Sequence, residues 1–265
     1  MRLLLLLIFI AIPTIAQAQE TSPNSWEMKF YLAKATDPKP LVGDYRNIRS
    51  IGIVNLAEGR IHLGDQNSLF RRSDVTKDIA HWDVHKFTFD VVKSYLGNTF
   101  DIQSIPREIT QNIPRAPFAR EEREKPTDSS LLYRTHLSKL AVPEVDAFLV
   151  WRPMTNNGEE AITLTRALSN RSYVGISGHL DIVDAHSYEV IGSSGLRMII
   201  RSGGEPVLAY PSGELEKSIN FPDPLDLPAA ELEKYRALVL SFIRSSLPVT
   251  LRRLGLTPVP VSTVQ

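Results

Sequence analysis

The sequence predicts an α/β (α+β) fold: a mixed sheet flanked by helices and closed by a C-terminal amphipathic helix. Three observations predict it. Strand-like and helix-like segments alternate from residue 48 to residue 151. A strand-rich stretch follows to about residue 200, and a long run with helical spacing opens at Asp226-Leu-Pro228. Alternation followed by hairpins places parallel and antiparallel pairs in one sheet with helices packed on it.

The chain opens MRLLLLLIFIAIPTIAQAQE, with Arg2, an apolar run from Leu3 to Ile10 and then Ala16-Gln17-Ala18. This is the pattern of a secretory signal peptide with an A-x-A cleavage site, so residues 1–18 are expected to be removed after Ala18. The apolar run is broken by Pro13 and falls short of the roughly 18 residues of a spanning helix. Among the 265 residues there is no cysteine, which excludes a disulfide framework, a thiolate nucleophile and a lipid-attachment cysteine. The expectation is a soluble periplasmic protein with no lipidation and no stable membrane anchor, since exported eukaryotic chains of this size usually carry disulfides. Thirty Lys and Arg balance thirty Asp and Glu, so no net field draws in nucleic acid. The mature chain, about 250 residues, can bury roughly 70 to 75% of its unfolded surface without a metal or other staple.

Residues 19–47 read as an extended lead-in, with one short strand near Met28. "IRSIGIVNL" (48–56) has the apolar continuity of a strand covered on both faces. After a polar excursion, Val84, Phe87, Val91, Val92 and Tyr95 recur at three-and-four spacing and Gly97-Asn98 stops the helix. "TFDIQSI" is a second strand. The stretch 106–126 carries four prolines and the charge run "AREEREK", a solvated loop. Thr127-Asp128 caps a helix with Tyr133, Leu137, Leu140 and Ala141 on its apolar side, ending at Pro143. "VDAFLVW" (145–151) is the third strand, and Asn157-Gly158 suggests a hairpin from it into "AITLTRA". Two long β runs, 173–184 and 189–200, precede a turn at Gly203-Gly204. The last helix places Leu232, Tyr235, Leu238, Val239, Phe242 and Ile243 on one side and is expected to stop before Pro248, leaving 248–265 as a loose tail. Residues 48–247 form the single domain.

The candidate site is "HLDIVDAHSYEVIGSSG" (179–195), with two histidines and two aspartates within eight positions. Strand alternation turns His179, Asp181 and Val183 to one face and Leu180, Ile182 and Asp184 to the other. Four ligands therefore cannot converge from this stretch; His179 and Asp181 alone share a suitable face. The reading preferred is a β-hairpin whose turn begins at Asp184, an aspartate accepting hydrogen bonds from amides two residues on. The alternative is a metal-dependent enzyme or hydrolase gathering His179, Asp181 and one of His81 or His85. His81 and His85 in "HWDVH" are four apart, which on a helix suits a metal, but the glutamate of H-E-x-x-H is missing. Ser177 and His179 in "GISGH" are only a broken version of the G-x-S-x-G turn. No phosphate-cradling glycine loop is present, and no cofactor is expected.

The strand ending in "DIVDA", its tight turn and "EVIGSSG" resemble the hairpin of bacterial envelope proteins of the curli-secretion and penicillin-binding-protein-activator lipoprotein group. That group shares an anticodon-binding-like α/β fold with the N-terminal domain of the Tol-system β-propeller protein. In this resemblance, which spans about residues 45–200, "IRSIGIVNL", the helix near Val84, "TFDIQSI" and "VDAFLVW" match successive elements. The chain departs from the group in having no cysteine after the signal and in carrying Tyr188 where the turn usually has glycine. The resemblance implies an exported non-catalytic module that binds another cell-envelope protein or associates with itself. A secretion-pore subunit is the further alternative; it would need amphipathic membrane hairpins.

Overall fold

The computed structural model describes residues 28–29, 39–57, 59–65, 73–110, 113, 129–139, 144–153, 161–166, 172–202, 205–215 and 227–258. The signal segment with Ala16 and Ala18, the loop from 114 to 126, the Thr127-Asp128 cap and the turns at Asn157-Gly158 and Gly203-Gly204 lie outside them.

The elements are β1 (Met28–Lys29), β2 (Ser50–Asn55), β3 (Arg60–Asp65), β4 (Ser73–Asp78), α1 (Val84–Leu96), β5 (Asp101–Ser104), α2 (Arg107–Thr110), α3 (Ser129–Leu137), β6 (Ala147–Arg152), β7 (Ile162–Arg166), β8 (Ser172–Ile176), β9 (His179–Asp184), β10 (Val190–Gly195), β11 (Met198–Ser202), β12 (Glu205–Ala209), β13 (Ser212–Leu215), α4 (Ala229–Glu233) and α5 (Arg236–Arg253). The mixed α/β class is as expected, but the expected single sheet is three. A five-stranded sheet runs β10-β9-β6-β2-β5, a six-stranded sheet runs β1-β13-β8-β7-β3-β4, and β11 and β12 form a separate ribbon.

In the five-stranded sheet β2 lies between β5 and β6 and is parallel to both, while β9 and β10 add antiparallel to β6. Both its faces are buried. Ile51, Ile53, Leu149, Trp151, Leu180 and Ile182 share a core with α1, α5 and the inner residues of the six-stranded sheet. Val54, Val150 and Val183 face Ile113 and, from α3, Tyr133 and Leu137. Burial on both faces is why these strands read as apolar runs and not as alternating ones.

The β3–β4 hairpin occupies part of the expected polar excursion. Its signal is weak because "SDVTKD" is a polar edge strand, although Ile61 and Leu63 are fully buried. The expected hairpin from "VDAFLVW" into "AITLTRA" does not form. β6 pairs with β2 and β9, whereas β7 pairs with β3 and β8 in the other sheet. The long run 173–184 is likewise two strands, β8 and β9, bent at Ser177-Gly178 so that one chain segment serves both sheets, as strands do at sheet corners.

The last helix does not stop at Pro248. It runs through the proline to Arg253 and closes in a Schellman arrangement: Gly255 has φ +85, its amide bonds to the Arg252 carbonyl, and the Leu256 amide bonds to the Leu251 carbonyl. Continuing past Pro248 costs about 3 kcal/mol. Burial of Leu251, Leu254 and Leu256, at about 1.5 to 3 kcal/mol each, exceeds that. Residues 248–256 therefore belong to the packed core and are not a loose tail.

Gly178 has φ +142, and a Cβ there would collide with Trp151 Nε1 and the Arg152 carbonyl oxygen. Gly178→Ala is expected to lower stability by about 2 to 4 kcal/mol, measured by urea unfolding. A loss under about 0.5 kcal/mol would show that the corner tolerates a side chain.

Candidate functional site

β9 and β10 form the expected antiparallel hairpin, with Asp181 opposite Ser193 and His179 opposite Gly195. Asp184 starts the turn and accepts hydrogen bonds from the amides of His186 (2.9 Å) and Ser187 (2.7 Å), which hold its carboxyl below the ordinary range against the opposing effect of burial. Tyr188 takes φ +59, the left-handed conformation that explains why glycine suits this position. The tyrosine is half-buried and packs on the core beneath α3, which offsets the backbone cost.

Asp181 is 1% exposed. It sits in the middle of β9, and β6 places Val150 beside it and Arg152 two residues on. Its Oδ2 accepts from Arg152 Nε at 2.6 Å and from the Tyr133 hydroxyl at 2.6 Å, and its Oδ1 accepts from the Ser193 hydroxyl at 2.6 Å. A carboxylate buried alone costs many kcal/mol; here three donors from α3, β6 and β10 converge on it, one of them cationic. Burial, together with the negative charge of Asp181, drives the Tyr133 hydroxyl well above its usual range, so it stays a donor. The cluster is an internal crosslink among three elements, and the carboxylate is turned to these donors.

Ser193 carries the link one step further. Its amide and carbonyl exchange hydrogen bonds with Leu41 at 3.0 and 2.9 Å, so the lead-in chain lies along the open edge of β10.

His179 lies on the same row as Arg152. Burial and the charges of Arg152 and Arg197 push its pKa down to about 4, with Asp181 opposing; it is neutral at pH 7. Arg197 is itself buried and stacks on the Tyr210 ring at 3.9 Å.

His81 and His85 do not share a helix face. His81 lies in a 3-10 turn (Ala80–Trp82), Asp83 breaks the helix with φ +53, and only then does α1 begin. His81 Nε2 is 3.2 Å from Glu233 Oε2, which also accepts from Trp82 Nε1 at 2.9 Å. His85 Nε2 is 2.9 Å from Ser104 Oγ. Asp181, His81 and His85 thus engage separate partners, His179 lies near Asp181 and its partner Arg152, and among the described residues no three His, Asp or Glu side chains are grouped to hold a metal ion. Arg152, Tyr133 and Ser193 were not foreseen as site residues. The available signal was Asp181 itself, because a charge inside a doubly covered strand demands a cation, and Arg152 is the charged residue that ends the neighbouring apolar strand.

Comparison of the chain with protein-family models, with curated proteins and with solved structures finds no match.

Asp181→Ala is expected to cost about 3 to 5 kcal/mol, because it strands a largely buried guanidinium, and Tyr133→Phe about 1 to 2, both by chemical denaturation. A catalytic or ligand-binding carboxylate would instead leave stability unchanged or improved on removal. The neutral form of His179 is favoured by folding, so its contribution is complete above pH 6.5 and is lost as pH falls through about 4. Over that window the protein is expected to lose about 2 to 3 kcal/mol through His179, with a further part from His85, which burial also depresses. His179→Gln flattens the pH 4 to 6.5 stability profile; an unaltered slope would contradict the assignment.

Proposed function

We propose that the chain is an exported, non-catalytic envelope protein acting in the periplasm as a binding or assembly module, for another cell-envelope component or for itself. One observation carries this reading. The β11–β12 ribbon packs Met198, Ile200 and Ala209 on the core but presents Ile199 (50% exposed) and Leu208 (41% exposed) on its other side as a directly opposed pair. Val207, paired with Ile200 on the core-facing side, is partly open to solvent as well. Large apolar side chains paired on an outer sheet face suit a protein contact.

The finer fold reading belongs to the same proposal. The segments that resemble the envelope group, β2, α1, β5, β6, β9 and β10, all fall in the five-stranded sheet and its covering helix. We read that sheet as an anticodon-binding-like unit, with β1, β3, β4, β7, β8 and β13 as an added second sheet. No helix among the described residues is long and apolar enough to cross a membrane.

In-cell crosslinking of the tagged chain, followed by mass spectrometry of periplasmic and membrane fractions, tests the reading. The expected result is one reproducible crosslinked envelope protein or a homodimer in the periplasmic fraction, with yield reduced severalfold by Ile199→Glu. Recovery as a lone monomer with metal-dependent turnover, lost in a His179→Gln variant, would replace this reading with the enzyme alternative.

A further inference from the structure

An unpaired strand edge offers a row of amide and carbonyl groups to any extended chain, and proteins usually blunt such edges. Most of the edges described here are blunted. β4 is charged along its length and β5 is four residues long. β10 is bridged by Leu41, and β1 is two residues long.

The ribbon has two further edges, and Pro206 distinguishes them. Pro206 lies opposite Arg201 in the register. Proline has no N–H to give, so Arg201 and Pro206 form one of the pairs that do not exchange backbone hydrogen bonds. Antiparallel pairs alternate in this respect, which makes Ile199 and Leu208 another such pair. The backbone polar groups of Pro206 and Leu208 therefore point out from β12, and those of Ile199 and Arg201 point out from β11. The β12 edge lacks a donor at Pro206, as protected edges do. Among the described residues nothing pairs with the β11 edge at Ile199 and Arg201, which keeps both donors and both acceptors; two residues earlier the Arg197 amide is taken by Thr250 Oγ1 of α5.

We propose that β11 pairs edge to edge with β11 of a second copy of this chain. The inference rests on the binding reading above and names its partner. A two-fold axis at Ile200 sets Ile199 opposite Arg201 of the second copy and the reverse, a register in which all four outward groups of each β11 are satisfied. Arg201 is the one charged residue of β11, and the axis places it across from an isoleucine and not from its own copy, which avoids like charges directly opposed. The result is a continuous sheet β12-β11-β11-β12. It converts a two-stranded ribbon, marginal on its own, into four strands, and it brings the Ile199 and Leu208 pairs of both copies onto one face. Contact is isologous and closed, so it ends at a dimer.

Sedimentation velocity of the full mature chain at about 10 to 100 μM, concentrations that detect micromolar dimers, tests the proposal. The parent chain is expected to sediment as a dimer. Ile199→Pro removes only an outward-facing N–H and Ile199→Lys charges the edge; both are expected to give monomers with unchanged circular dichroism. Leu208→Pro, on the already blunted edge, is expected to remain dimeric. A monomeric parent, or a dimer indifferent to both Ile199 variants, overturns the pairing. If the parent is monomeric but the crosslinked partner in cells is a different envelope protein, the pairing falls and the binding reading stands. If no partner is captured either, both fall.

Discussion

The arrangement depends on a buried carboxylate. Asp181 occupies the centre of a strand whose two faces are both covered, and such a charge is tolerated only when it is paired and fully hydrogen-bonded. That requirement fixes the position of three other elements: β6 must deliver Arg152, α3 must deliver Tyr133, and β10 must deliver Ser193. The five-stranded sheet and the helix on its second face are thereby held in one register. A one-residue slip of β9 would turn Asp181 into the apolar core shared with α1 and α5, away from all three donors.

The same hairpin also connects the two sheets. The bend at Gly178 lets β8 serve one sheet and β9 the other, and Trp151 Nε1 donates to the Ser177 carbonyl at 3.2 Å across the corner. One core is then shared by both sheets and by α1 and α5, and α5 continues past Pro248 because that core extends with it. The stretch that looked most like chemistry in the sequence thus serves as the junction of the molecule. Outward-facing apolar groups lie elsewhere, at Leu41 and Val42 in the lead-in and on β11 and β12.

Much of the fold was legible. Apolar continuity identified β2 and β6, three-and-four spacing identified α1, and Asp184 announced the turn, because each of these signals is local. The division into three sheets was not legible, since an apolar strand looks the same whichever neighbours it takes. Strands β3 and β4 were hidden by polar edge residues. The end of α5 was misplaced because Pro248 is a strong local stop signal and the burial of Leu251 and Leu254 that overrides it is tertiary. At the site, Asp181 and His179 were correctly set on one face, but their partners were not found. Arg152 reads as the end of a strand, Tyr133 as an apolar helix residue and Ser193 as a small strand residue, and only the fold brings them to one carboxylate.

The most direct test of this account is a double-mutant cycle on Asp181 and Arg152, with each residue replaced by alanine singly and together and stability measured by denaturant unfolding. If the pair is the structural crosslink described, the two losses are strongly non-additive, with a coupling of about 2 to 3 kcal/mol. Additive losses, with coupling near zero, would show that the carboxylate does not hold the sheet and would return Asp181 to the list of candidate functional groups.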